Sequence, residues 1–173
     1  SIPEDGKKEI KSIVITETVA NALEDNGEIK VRLYGDFKFD QASVNGATIA
    51  STLGTLDATV QAGSVKDDEF ILDVTNVGAE KAGKLSISGI IVEADGADAG
   101  DVAEIVVSGA NVEKTTLEIA TCITYGIEFT VEDKKLPVFY SGRQYPTDET
   151  LKVTFKETIE DSWWSARKTT LTF

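Results

Sequence analysis

Apolar residues fall at every second position in seven separate stretches of the chain: SIVITET, GEIKVRLYG, EFILDVT, GKLSISGIIVEA, VAEIVVSG, TTLEIATCI and GIEFTVED. Period-two alternation turns successive side chains to opposite faces, so each stretch reads as a β-strand with one buried face. Gly, Asn and Asp bound these stretches, as tight turns between short strands require. No helical crossover pattern separates them, which argues against a parallel sheet. The pattern predicts an all-β protein: an immunoglobulin-like or jelly-roll-like antiparallel β-sandwich with one or two short helices. The helical expectations are VANALEDN at 19–26 and TIEDSWWSA at 158–166, with Thr18 and Thr158 as N-caps. From Asp40 to Phe70 the chain is rich in Ala, Ser, Thr and Gly and alternates weakly. Short, twisted or bulged strands are expected there, with turns at Asn45-Gly46 and near Gly54 and Gly63.

The rhythm breaks at KKLPVFYSGRQYPTDET, which holds two of the three prolines and a Gly-Arg pair. This break predicts a β-sandwich repeat domain over residues 1–133, a linker over 134–149 and a partial second repeat over 150–173. The evidence for a repeat is internal. SIVITETVANALEDNGEIKVRL lies over KVTFKETIEDSWWSARKTTLTF without a gap, Glu157 standing 140 residues after Glu17. Ile13 matches Val153, Ile15 matches Phe155, Leu23 matches Trp163, Val31 matches Leu171 and Leu33 matches Phe173, so apolar positions coincide through the segment. Self-similarity at a period near a domain's length predicts a tandem array, with 150–173 as the strand, short helix and strand that open a second copy.

Charge divides at the same place. Residues 1–133 carry 10 Lys and Arg against 25 Asp and Glu, whereas 134–173 carry 7 against 5. So acidic a body repels phosphate backbones and anionic lipid surfaces, and no basic stripe with interleaved aromatics is present, which argues against nucleic acid as a partner. The apolar runs are short, so no membrane insertion is expected. The chain contains no histidine. That zero removes Ser-His-Asp and Cys-His catalysis and every histidine-based zinc or copper site. Nucleotide-binding glycine motifs are absent too, and no carboxylate pair stands out, so the expectation is a protein that is not an enzyme. The single cysteine, Cys122, sits in an apolar alternating run and reads as a small buried hydrophobe.

Three aspartates in DGADAGD, Asp95, Asp98 and Asp101, are spaced to offer oxygen ligands to calcium, and the same spacing suits a solvated turn. Trp164, where the repeat places Glu24, is expected near the surface; with Tyr140 and Tyr145 it is a candidate platform for a sugar or a protein partner.

One resemblance adds to this reading. The succession of I-x-E-T at Ile15–Thr18, the run GKLSISGIIVEADGADAGDVAEIVVSGANVEKTTLEIATCITYGIEFTVED, then GRQ and a second E-T-I followed by RKTTLTF, resembles β-sandwich repeat domains. These occur in large surface or stalk proteins of anaerobic Firmicutes, often described as copper amine oxidase N-terminal-like domain-containing proteins. The resemblance implies an exported, cell-surface structural protein. It does not carry the oxidase chemistry, which needs histidine ligands and a tyrosine after asparagine; none of the four tyrosines here follows Asn. The expected function is therefore a non-catalytic structural or assembly module of a cell-surface, S-layer-like or filament protein. Its expected partners are copies of itself or neighbouring repeats, and strand exchange through the C-terminal half-repeat is the expected mode. A carbohydrate-binding module acting on cell-wall or plant polysaccharide is the alternative.

Overall fold

The structure, a computed structural model, describes residues 1–78, 80–131 and 152–158. Strand accounts for 54% of it and helix for 4%, which makes the fold all-β, with several antiparallel sheets arranged as a sandwich. The chain divides into two units, Ser1–Ile123 and Thr124–Phe173.

In the first unit the strands are β1 Ile2–Pro3, β2 Lys7–Glu9, β3 Ile13–Thr16, β4 Glu28–Tyr34, β5 Phe37–Phe39, β6 Thr48–Ser51, β7 Leu56–Val60, β8 Glu69–Asn76, β9 Lys84–Ser88, β10 Ile91–Ala94, β11 Val102–Gly109 and β12 Val112–Ile123. A six-stranded sheet runs β1-β12-β11-β4-β8-β7, and two three-stranded sheets run β3-β9-β6 and β2-β10-β5. The alternation explains the core. Ile29, Val31 and Leu33 of β4 face the same side as Phe70 and Leu72 of β8 and Ile105 and Val107 of β11, and all are buried. Ile13, Ile15, Phe37, Phe39, Leu85, Ile87 and Val92 of the smaller sheets complete one hydrophobic cluster with them. Phe39 and Phe70 meet edge to face, 5.3 Å between centroids at 72°. All the pairings are antiparallel except that of β1, whose two residues lie parallel to Cys122 and Ile123.

The β11–β12 hairpin closes through Ala110 and Asn111, both left-handed with φ of 48° and 65°. Two left-handed residues match the twist of the strands they join.

Two local expectations are corrected. Residues 19–26 form turns, not a helix. A helix there would need the N–H of Leu23 to reach back to Val19, but that N–H donates to the Glu17 carboxylate at 3.0 Å, and Asn21 and Asn26 take φ of 55° and 57°. The short helix lies instead at Gln41–Asn45 (α1). Asp40 caps it by accepting from the Ser43 N–H at 2.9 Å, while the Ser43 hydroxyl donates to the Asp40 carbonyl at 2.7 Å. Asn45-Gly46 therefore ends a helix where a strand turn was expected.

In the second unit, β13 Ile127–Val131 pairs antiparallel with β14 Val153–Glu157, in the register Ile127↔Glu157, Phe129↔Phe155 and Val131↔Val153. β13 falls within the 1–133 span expected for the sandwich, yet its ladder is with β14. The Thr158 N–H donates to the Gly126 carbonyl at 3.0 Å, and its hydroxyl donates to the Gly126 and Thr124 carbonyls at 3.0 and 3.2 Å. Phe129 is 71% exposed. The rest of the helix expected at 158–166 lies outside the described residues.

Candidate functional site

The I-x-E-T motif ends β3, and strand period decides where its glutamate goes. Ile13 and Ile15 point into the core, so Glu17 continues the same inward row. Its carboxylate is buried, 5% exposed, and fully engaged. Oε1 accepts from the Leu23 N–H at 3.0 Å and from Asn76 Nδ2 at 2.9 Å, and Oε2 accepts from the Gly83 N–H at 2.8 Å. Asn76 Nδ2 also donates to the Leu23 carbonyl at 2.9 Å. One side chain thus joins the loop after β3, the end of β8 and the start of β9. Gly83 leaves room for this packing: a Cβ there would stand 2.7 Å from Leu56 Cδ2 and 3.3 Å from Glu17 Oε2, so the buried Leu56 side chain would have to shift.

Burial pushes the Glu17 carboxyl up, but the donors from Leu23, Gly83 and Asn76 outweigh it and hold it below the ordinary glutamate range. The Glu69 carboxyl is lowered as well, chiefly by Lys66 Nζ at 2.7 Å. Groups lowered in the folded state leave the unfolded chain binding more protons in acid. Their stabilisation is complete above the ordinary glutamate value and is lost as pH falls through the lowered one. Thermal unfolding followed from neutral pH downward should therefore give a level Tm that drops below about pH 4.3, and Glu17→Gln should flatten part of that drop.

Beside Glu17 lies a groove of about 430 Å³, lined by Ile13, Ile15, Leu23, Val107, Val112 and Leu117 among others. Its origin is an uncovered piece of the sandwich interior. Leu117 of β12 is paired with Ile105 of β11, so both side chains face inward, but Ile105 is 1% exposed and Leu117 44%. The sheet opposite stops at β3, whose only ladder partner among the described residues is β9. The free edge of β3 and the bare inner face of β12 therefore bound the same groove. Among the described residues the arrangement is short of one strand. Chemically it offers backbone donors and acceptors along β3 and a mainly apolar floor, with Glu113 and Thr115 on its β12 side, the requirements for adding an extended peptide to a sheet.

The other candidates fare differently. Asp98 and Asp101 close their own turn: the Asp98 N–H donates to Asp101 Oδ2 at 2.8 Å and the Asp101 N–H to the Asp98 carbonyl at 3.0 Å. Asp95 turns to Lys38 Nζ at 3.1 Å. Among the described residues no three acidic side chains gather as a metal ion would need. Trp164, Tyr140 and Tyr145 lie outside the described residues. Cys122 is buried, its thiol directed to the Ala97 carbonyl at 3.4 Å and its pKa pushed up by burial and by the nearby Glu4. Sequence reasoning missed the role of Glu17, although the inward phase of Ile13 and Ile15 carries the signal. It missed the groove altogether, because exposure of Leu117 depends on which strand stands opposite. Among the described residues no helix is long and apolar enough to cross a membrane. Comparison with known protein families, curated proteins and solved structures gives no match.

Proposed function

We propose that the chain is a non-catalytic structural module of a bacterial cell-surface, S-layer-like or filament protein that assembles with copies of itself by strand addition. The observation that carries this reading is the groove beside β3, where a free strand edge meets inward-facing apolar residues left uncovered. An interior face that its own sheet does not close favours association over solitary existence. The resemblance to repeat domains of surface proteins supports the same direction and an extracellular location. The acidic body agrees with it, since high net charge keeps a concentrated or exported protein soluble until specific contacts form.

Sedimentation velocity over a concentration series tests the proposal. Reversible growth in mass with concentration is expected, and a constant monomer mass throughout would defeat it. A polysaccharide pull-down with wild type and Trp164→Ala addresses the carbohydrate-binding alternative: saturable retention lost in the variant would replace assembly as the preferred reading.

A further inference from the structure

The second unit contains a template for how the groove of the first is filled. β14 lies where the internal repeat puts the counterpart of β3, Val153 on Ile13, Phe155 on Ile15 and Glu157 on Glu17. β14 has a strand along one edge, namely β13. The question is whether that edge corresponds to the free edge of β3 or to the edge occupied by β9.

Backbone direction decides it. In the first unit the N–H of Glu17 donates to the Gly83 carbonyl, on the β9 side, at 2.9 Å. Strand geometry alternates, so the N–H groups of Val14, Thr16 and Thr18 point the other way, along the free edge. In the second unit it is Thr158, the counterpart of Thr18, whose N–H reaches β13 through the Gly126 carbonyl. β13 therefore occupies the edge of β14 that is free in β3.

We infer that the groove beside β3 is the acceptor site for the strand Ile127–Val131 of a second copy of this chain, exchanged from β14 onto the equivalent edge of β3. The register carries over directly: Ile127 opposite Glu17, Phe129 opposite Ile15 and Val131 opposite Ile13. Phe129, 71% exposed on its own ribbon, is then directed to the same side as the buried Ile15, toward Val107 and the uncovered Leu117. Thr18, which lines the groove, takes the place of Thr158 facing Gly126. The occupant thus matches the site in backbone direction, in side-chain phase and in apolar character. The inference rests on the assembly reading and specifies its contact.

Cross-linking of the full chain tests it. The carried-over register sets Thr16 opposite Glu128, as Lys156 is in the ribbon, and both residues are exposed. Directly opposed residues of an antiparallel pair lie about 5.5 Å apart at Cα, within reach of a disulfide. Mixing Thr16→Cys and Glu128→Cys chains under mild oxidation should give a Thr16→Cys/Glu128→Cys heterodimer as the dominant product. Thr48→Cys, exposed on β6, should give none with the same partner. The buried native Cys122 is common to all these chains. Adding Phe129→Asp to the donor, or Leu117→Arg to the acceptor, should abolish the heterodimer without lowering the Tm of the first unit. Mass growth in sedimentation with no cross-link above the Thr48→Cys control would overturn this acceptor site and leave assembly standing. Constant monomer mass without cross-linking would overturn both. An intramolecular disulfide alone in the doubly substituted single chain would overturn the second copy as occupant.

Discussion

Replacing Glu17 by alanine should lower the stability of the first unit by about 3–5 kcal/mol, because the substitution orphans donors on three segments at once. The N–H groups of Leu23 and Gly83 and the amide of Asn76 all converge on that carboxylate. Removing the buried charge offsets part of the loss, since the desolvation it suffered disappears as well. Glu17→Gln keeps the shape but presents an NH₂ to at least one of those N–H donors, so a smaller loss of about 1–3 kcal/mol is expected. Urea denaturation followed by tryptophan-independent far-UV circular dichroism reads both. An alanine variant within 1 kcal/mol, or roughly that, of wild type would mean that the carboxylate is dispensable.

Phe70→Ala should be comparably costly, about 3–5 kcal/mol, through lost burial and the cavity left behind. Phe70 is fully buried in β8, stands opposite Val31 of β4 and contacts Phe39 edge to face. Phe39 lies on a strand of another sheet, so the pair ties two layers together and little can collapse into the space. Phe70→Leu retains most of the volume and should cost less, about 1–2 kcal/mol. The denaturant midpoint should move while the m-value stays constant, the signature of lost stability in an unchanged fold.

These two sites show what a sequence can and cannot reveal. Phe70 was legible, since E-F-I-L-D-V-T alternates and its apolar members had to face a core. The strands as a class were legible for the same reason. Where strands divide and whom they pair with was less so. GKLSISGIIVEA reads as one strand, but Gly89 at φ 85° breaks it into β9 and β10, which join different sheets. Likewise VANALEDN has helix-compatible residues, but the bond from Leu23 to Glu17 and the left-handed Asn21 and Asn26 remove the turns the helix would need. α1 was hidden by its brevity, with only Asp40 and Ser43 at capping distance to mark it. The repeat offset was visible in apolar matches alone. Its structural counterpart is a strand at Val153–Glu157, whereas the groove beside β3 arises from sheet order and has no local signature.

The two strand borders of that groove differ in a way that bears on solubility. The exposed stretch of β12 carries Glu113, Lys114 and Glu118, and charges along an open strand discourage indiscriminate pairing with other chains. β3, reading Ile-Val-Ile-Thr, carries none. A passing strand thus meets electrostatic refusal at one border and an ungated backbone at the other. Among the described residues, protection against indiscriminate pairing is consequently confined to one of two neighbouring strands of the same sandwich.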